Sequence, residues 1–163
     1  MRLLIIRHAT AVPRGTPGIP DDERPLTPEG EKKFRQAARG LARIQERPQA
    51  LLSSPLPRAW RTAEIAAEAW GDIRPQKTEA LVGADLEDLG PVLGEYPEDA
   101  TVALVGHEPG LSALLARLLD TEEADRLTFK KGGAALLELS GTPDDGGRLV
   151  WYLPPRVLRD LAE

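Results

Sequence analysis

Cysteine is absent from the 163 residues. Its absence removes disulfides, thiolate nucleophiles and cysteine metal sites together. Histidine occurs only twice, which makes a poor metal site even if carboxylates are added. No metal and no cofactor are therefore expected. Aromatic residues are only 4% of the chain, too few to suggest an interface. The three tryptophans, Trp60, Trp70 and Trp151, read as core or rim residues. No run approaches the ~20 apolar residues of a membrane span. The apolar run after Arg2 is too short for a signal peptide. A cytoplasmic protein without a membrane partner is the expectation. A basic surplus is also missing: 21 basic against 26 acidic side chains give a net charge of −5, which argues against a nucleic-acid partner.

The remaining composition is that of an ordinary globular protein, with 41% hydrophobic and 29% charged residues. The length suits one domain over residues 1–163 with a real core. Fifteen prolines and a single methionine are compatible with heat tolerance and equally with a GC-rich genome.

The two histidines each end an apolar run. Leu3-Leu4-Ile5-Ile6 leads into Arg7-His8, and Val102-Ala103-Leu104-Val105 leads into Gly106-His107. Short continuous apolar runs predict strands buried on both faces. Between them, Pro13, Gly15, Pro17, Gly18, Pro20 and Pro25 predict a loop over 9–26. Thr27-Pro28 predicts a helix start, with Pro48 ending it. Residues 50–53 read as a strand. Ser54-Pro55 predicts the next helix start by the same rule, with Gly71 as its stop. A short strand near 77–78, a helix around 85–94 and a helix from Pro109 follow. The segments 134–139 and 148–153 read as a hairpin, and 154–163 as a terminal helix. Strands and helices alternate at βαβ spacing. The expected fold is α/β: a three-layer αβα sandwich around a mostly parallel sheet.

An open α/β sheet binds ligands beyond the carboxyl ends of its strands. Both histidines fall at that edge. Arg7, beside His8, offers a planar fork of donors suited to phosphate. Imidazole can carry a phosphoryl group covalently. Arg58, in the first turn of the helix after Ser54-Pro55, adds a cation where helix N–H groups already favour anions. Arg61 shares its face and reads as a solvated arginine or a rim residue. Gly106 permits close approach of backbone to a ligand, and His107 is a candidate donor to charge developing in a transition state.

Arg7-His8-Ala9, the segment Ser54–Thr62 and Val105-Gly106-His107 resemble, in order and spacing, the histidine phosphatase superfamily with its phosphoglycerate-mutase-like fold. Arg24-Pro25-Leu26-Thr27 in so short a chain resembles the SixA-type phosphohistidine phosphatases. The resemblance implies that His8 is the phosphorylated nucleophile. Arg7 and Arg58 then hold the phosphoryl oxygens, and His107 completes the pocket. Arg24 either reaches the phosphate or substrate from the entrance or pairs with Asp21, Asp22 or Glu23. Reaction without a metal is implied. His8 must be neutral and His107 protonated once phosphate is bound. An unperturbed imidazole pKa of about 6.5 then predicts an acid or basic limb between about pH 5 and 8. Ester-cleaving members carry a glutamate between the second and last motifs. That interval shows no clean match, and Asp85, Glu87 and Glu79 are the alternatives. A phosphohistidine on a phosphotransfer or signalling protein is thus the expected substrate. A small phosphate monoester with Asp85 or Glu87 as acid is the alternative. A mutase or a non-catalytic phosphate-binding module fits the residues less well.

Overall fold

The computed structural model describes residues 1–163. Its strands are β1 (Arg2–Arg7), β2 (Ala50–Ser53), β3 (Gln76–Lys77), β4 (Thr101–Gly106), β5 (Ala134–Leu139) and β6 (Gly147–Leu153). Its α-helices are α1 (Pro28–Ile44), α2 (Pro57–Trp70), α3 (Ala80–Gly83), α4 (Leu86–Leu93), α5 (Gly110–Leu118) and α6 (Pro155–Leu161). The strands form one sheet in the order β3-β2-β4-β1-β5-β6. β3, β2, β4 and β1 pair in parallel, while β5 runs antiparallel to both of its neighbours. The sheet is therefore mostly parallel, with helices on both faces, as the βαβ spacing predicts.

The alternation of side chains along a strand divides the core in two. Leu4 and Ile6 of β1, with Ala103 and Val105 of β4, pack under α1, α2 and α6. Leu3 and Ile5, with Val102 and Leu104, pack under α4 and α5. The chain leaves β1 for α1 on one face and leaves β4 for α5 on the other. The neighbouring carboxyl ends of β1 and β4 thus form a topological switch point, where an α/β sheet opens a crevice.

Local chemistry accounts for most element boundaries. Thr27 caps α1, its Oγ1 accepting the Gly30 N–H at 2.9 Å, and Pro28 occupies the first helical position. Gly71 ends α2 at a φ of +72°. The start of α2 differs from expectation. It begins at Pro57, not after Ser54. Both Pro55 and Pro57 satisfy the proline rule, but the Ser54 hydroxyl is taken up elsewhere. It accepts the Leu56 N–H at 3.2 Å, which closes a turn before the helix. The short helix α3 is an element beyond those expected. The expected strand near 77–78 is the two-residue β3. No helix is long and apolar enough to cross a membrane.

Candidate active site

Arg7 and Gly106 are register partners at the ends of β1 and β4. His8 and His107 therefore leave the sheet side by side. The His8 N–H donates to the Gly106 carbonyl at 3.1 Å. The two rings lie with centroids 5.2 Å apart and planes tilted by 55°. Both histidines are buried.

The His8 ring is oriented by its own backbone. Nδ1 lies 2.7 Å from the Ala9 carbonyl oxygen. A carbonyl only accepts, so Nδ1 carries the proton and Nε2 presents a lone pair. Burial pushes the His8 pKa down from 6.5 to about 3; the Ala9 bond opposes this, and His107, Arg58 and Arg7 add to it. The ring is neutral at pH 7. Burial, more than the neighbouring arginines, sets this value.

His107 is held differently. Its Nε2 lies 2.8 Å from Ser54 Oγ, while its buried Nδ1 has no protein partner. Burial, then Arg58 and Arg24, lower its pKa to about 4, against an opposing contribution from Asp21. His107 is thus neutral in the protein alone. The protonated form expected from sequence needs a bound dianion to raise it.

Arginines surround the pair. Arg58 is the second residue of α2, and its Nη1 donates to the Asp21 main-chain oxygen at 2.8 Å. Arg7 Nη1 donates to the Phe129 carbonyl at 2.5 Å. The Nε atoms of both are buried without a protein partner. Of the two readings open to Arg24 from sequence, the structure shows the pairing with Asp21. Arg24 is buried and bonds Asp21, Nε to Oδ1 at 2.9 Å, while Nη1 donates to the Val12 carbonyl at 2.9 Å. It also acts electrostatically on His107. Arg14 shares the same Asp21 oxygen at 2.9 Å. The solvent that Asp21 loses would raise its carboxyl. The Arg24 hydrogen bond and the charges of Arg14, Arg24 and Arg58 outweigh that and hold it below the usual carboxylate range.

Further residues support the pair that sequence reasoning left without a role. Thr62, wholly buried, accepts the Ala9 N–H at 3.0 Å and donates to the Arg58 carbonyl at 2.8 Å. It ties the end of β1 to the first turn of α2. Glu108, just before α5, accepts the Ser112 N–H of that helix's first turn through Oε1 at 2.8 Å, and its Oε2 is buried without a partner. Burial lowers the Arg7 guanidinium; the charges of Glu108 and Tyr152 act against that. The serine beside the second motif and the acid after the second histidine were visible signals, but their partners lie across the fold.

Other expected residues lie elsewhere. Arg61 pairs with Glu31 at 2.9 Å and Glu64 at 3.6 Å, bridging α2 to α1. Gly106 owes its small size to packing. A Cβ there would stand 3.1 Å from Leu111 Cδ2 and 3.3 Å from the Leu81 carbonyl, so neighbouring protein, not approach of a ligand, accounts for the missing side chain. Asp85 and Glu87 are exposed and line a groove of about 840 Å³ beside Gly90, Ala113, Arg117 and Asp144. That groove shares no residue with the histidine pair. Glu79 is exposed just before α3.

A neutral ring with a free Nε2, within the field of Arg7 and Arg58 at a switch point, is chemically able to attack a bound tetrahedral oxyanion. The comparisons agree with this chemistry. The histidine phosphatase superfamily (branch 1) matches residues 3–91, and the chain belongs to that family. It is a phosphatase. An uncharacterized protein of Picosynechococcus sp. is 34% identical over 138 residues, covering 82% of each chain. A structure from Agrobacterium tumefaciens, assigned as a phosphohistidine phosphatase SixA, is 25% identical with a TM-score of 0.78. It covers 94% of this chain and 97% of its own. A protein histidine phosphatase SixA complexed with tungstate has the same fold, with a TM-score of 0.78 at 23% identity over 97% of this chain and 99% of its own. The likeness to SixA-type phosphatases thus extends over nearly the whole chain.

Proposed function

We propose that this phosphatase removes the phosphoryl group from phosphohistidine on a protein, through a covalent intermediate at His8. The observation that carries the nucleophile assignment is the bond from His8 Nδ1 to the Ala9 carbonyl at 2.7 Å. It leaves the Nε2 lone pair available on a ring that stays neutral down to low pH.

The reaction is two in-line transfers. Nε2 of His8 attacks phosphorus while the substrate P–N bond breaks. Its electron pair returns to the leaving imidazole, which takes a proton from solvent. Water then attacks the phosphoryl group on His8. The P–Nε2 bond breaks, the pair returns to the ring, and the water proton leaves with phosphate or to solvent. Arg7, Arg58 and Arg24 bind the oxygens and supply the positive charge, so the chemistry is written without a metal. His107, raised by the bound dianion, donates from Nδ1 to the charge that builds on them.

The leaving group follows from the carboxylates. Asp21 is held ionised by its arginines, and Glu108 is committed to Ser112 and faces Arg7. Asp85 and Glu87 line a separate groove. None of these carboxyls hydrogen-bonds to the histidine pair, and a leaving imidazole, unlike an alkoxide, readily takes its proton from solvent. This supports an N–P substrate.

The test compares a histidine-phosphorylated phosphotransfer protein with a panel of phosphate esters, for wild type and His8→Ala. Turnover of the phosphoprotein that His8→Ala abolishes supports the reading. Undiminished turnover by His8→Ala removes the nucleophile. A strong preference for esters, lost in Asp85→Ala or Glu87→Ala, replaces the substrate assignment with a phosphomonoester.

A further inference from the structure

Residues 128–133 form a turn that leads into β5 and is fastened to the end of β1. The Phe129 side chain is buried and its carbonyl accepts Arg7 Nη1. The Gly132 N–H is shared between the carbonyls of Arg7 at 3.1 Å and His8 at 3.0 Å. The Arg7 N–H returns to the Gly133 carbonyl at 3.0 Å, and the Gly133 N–H closes the turn on the Lys130 carbonyl at 2.8 Å. The Tyr152 hydroxyl reaches the carbonyls of Leu127 and Thr128 at 2.9 and 2.6 Å. Gly132 has a φ of +83°, the left-handed conformation that lets the turn reverse.

From this braced turn project Lys130 and Lys131, both exposed. Neither lysine pairs with a carboxylate, unlike Lys33, which pairs with Glu29. Together with Arg7, Thr128, Phe129 and Pro155 they line an open groove of about 520 Å³. Arg7 therefore belongs to both the histidine pocket and this groove. The chain carries a net charge of −5, so a local cationic wall runs against the overall field and acts on whatever docks there.

We infer that this groove is a second anion subsite, which takes the carboxylate of an Asp or Glu flanking the phosphohistidine on the partner protein. The inference rests on the function proposed above. An ammonium on a flexible stem is a compact point charge without the directional demands of a guanidinium. It suits a mobile carboxylate on a partner surface, just as the open groove suits a surface more than a small enclosed ligand.

The test uses two histidine-phosphorylated peptides, identical except that one has Asp and Glu flanking the phosphohistidine and the other has Ala. The wild type is expected to show the lower KM on the acidic peptide. In Lys130→Glu/Lys131→Glu the KM ratio between the peptides collapses or inverts, by about threefold to tenfold for two exposed ion pairs. Lys130→Ala/Lys131→Ala loses the preference without inverting it, and high salt erases it in the wild type. Equal KM values for both peptides in the wild type, or a preference that survives charge reversal, overturn the subsite. Failure of the proposed function reads differently, as turnover of neither peptide. In that event the subsite is read by competition against hydrolysis of p-nitrophenyl phosphate, using the same two peptides carrying a phosphonate analogue of phosphohistidine. A lysine-dependent preference for the acidic inhibitor supports the subsite, and equal inhibition overturns it.

Discussion

Ser54 Oγ lies 2.8 Å from His107 Nε2, and this contact joins the ends of two adjacent strands. Ser53 and Val105 are register partners, and the Ser54 N–H donates to the Val105 carbonyl at 3.0 Å. The serine hydroxyl thus emerges beside the ring and fixes its rotation. Ser54→Ala leaves a buried ring nitrogen without its partner. kcat is expected to fall about tenfold or more, with KM changed less. Steady-state kinetics beside a thermal melt separate this from unfolding; unchanged kcat would remove Ser54 from the working site.

The acid limb of the pH–rate profile falls lower than an unperturbed imidazole predicts. Burial holds His8 at about 3 and His107 at about 4. kcat/KM, which reports the free enzyme, is expected to show no inflection from either imidazole between pH 5 and 8, with acid loss through His8 only near pH 3. An acid limb near pH 6.5 would contradict the burial of the His8 ring.

Phosphate should recharge the second ring. A dianion beside Nδ1 favours the imidazolium. Histidine NMR titration with inorganic phosphate is expected to move the His107 pKa upward from about 4. A value indifferent to phosphate would show that the anion sits away from His107.

Stability carries the signature opposite to that of a histidine held charged in an ion pair. Both folded-state values lie below the ordinary 6.5, so between about pH 6.5 and 4 the unfolded chain binds more protons than the native one. Stability therefore falls as pH falls through that window, by up to about 1.4 kcal/mol per pH unit for each histidine. Urea midpoints at pH 7, 5.5 and 4.5 measure the slope, which His8→Ala/His107→Ala should flatten.

Gly40 places α1 against α6. A Cβ there would collide with the Leu158 carbonyl oxygen. Gly40→Ala is expected to destabilise the protein by about 1–3 kcal/mol despite the better helix propensity of alanine. Urea denaturation checks this, and a more stable variant would refute the tight contact.

The parts legible in sequence are those that neighbouring residues specify. Thr27-Pro28 announces its helix because cap and first position are adjacent. The two apolar runs announce central strands because burial on both faces needs no partner pattern. The rest depends on partners distant in the chain. Ser54 reads as a helix cap in sequence, but its hydroxyl is shared between Leu56 and His107. Asp21 could not be matched to Arg58 without the loop's path. Gly106 invited a ligand on paper, yet Leu81 and Leu111 fill its side. Residues 128–133 carry no periodic signal, because a turn fixed by main-chain bonds leaves its side chains unpatterned.

The single antiparallel strand has a consequence for how this pocket can change. Because β5 runs against β1, the segment before it, not after it, arrives at the histidine edge. One wall of the pocket is thus written in a stretch that contains neither histidine and is gripped through main-chain atoms of Gly132 and Gly133. Its outward side chains are free to be exchanged like the teeth of a key, while the chemistry behind them stays as it is.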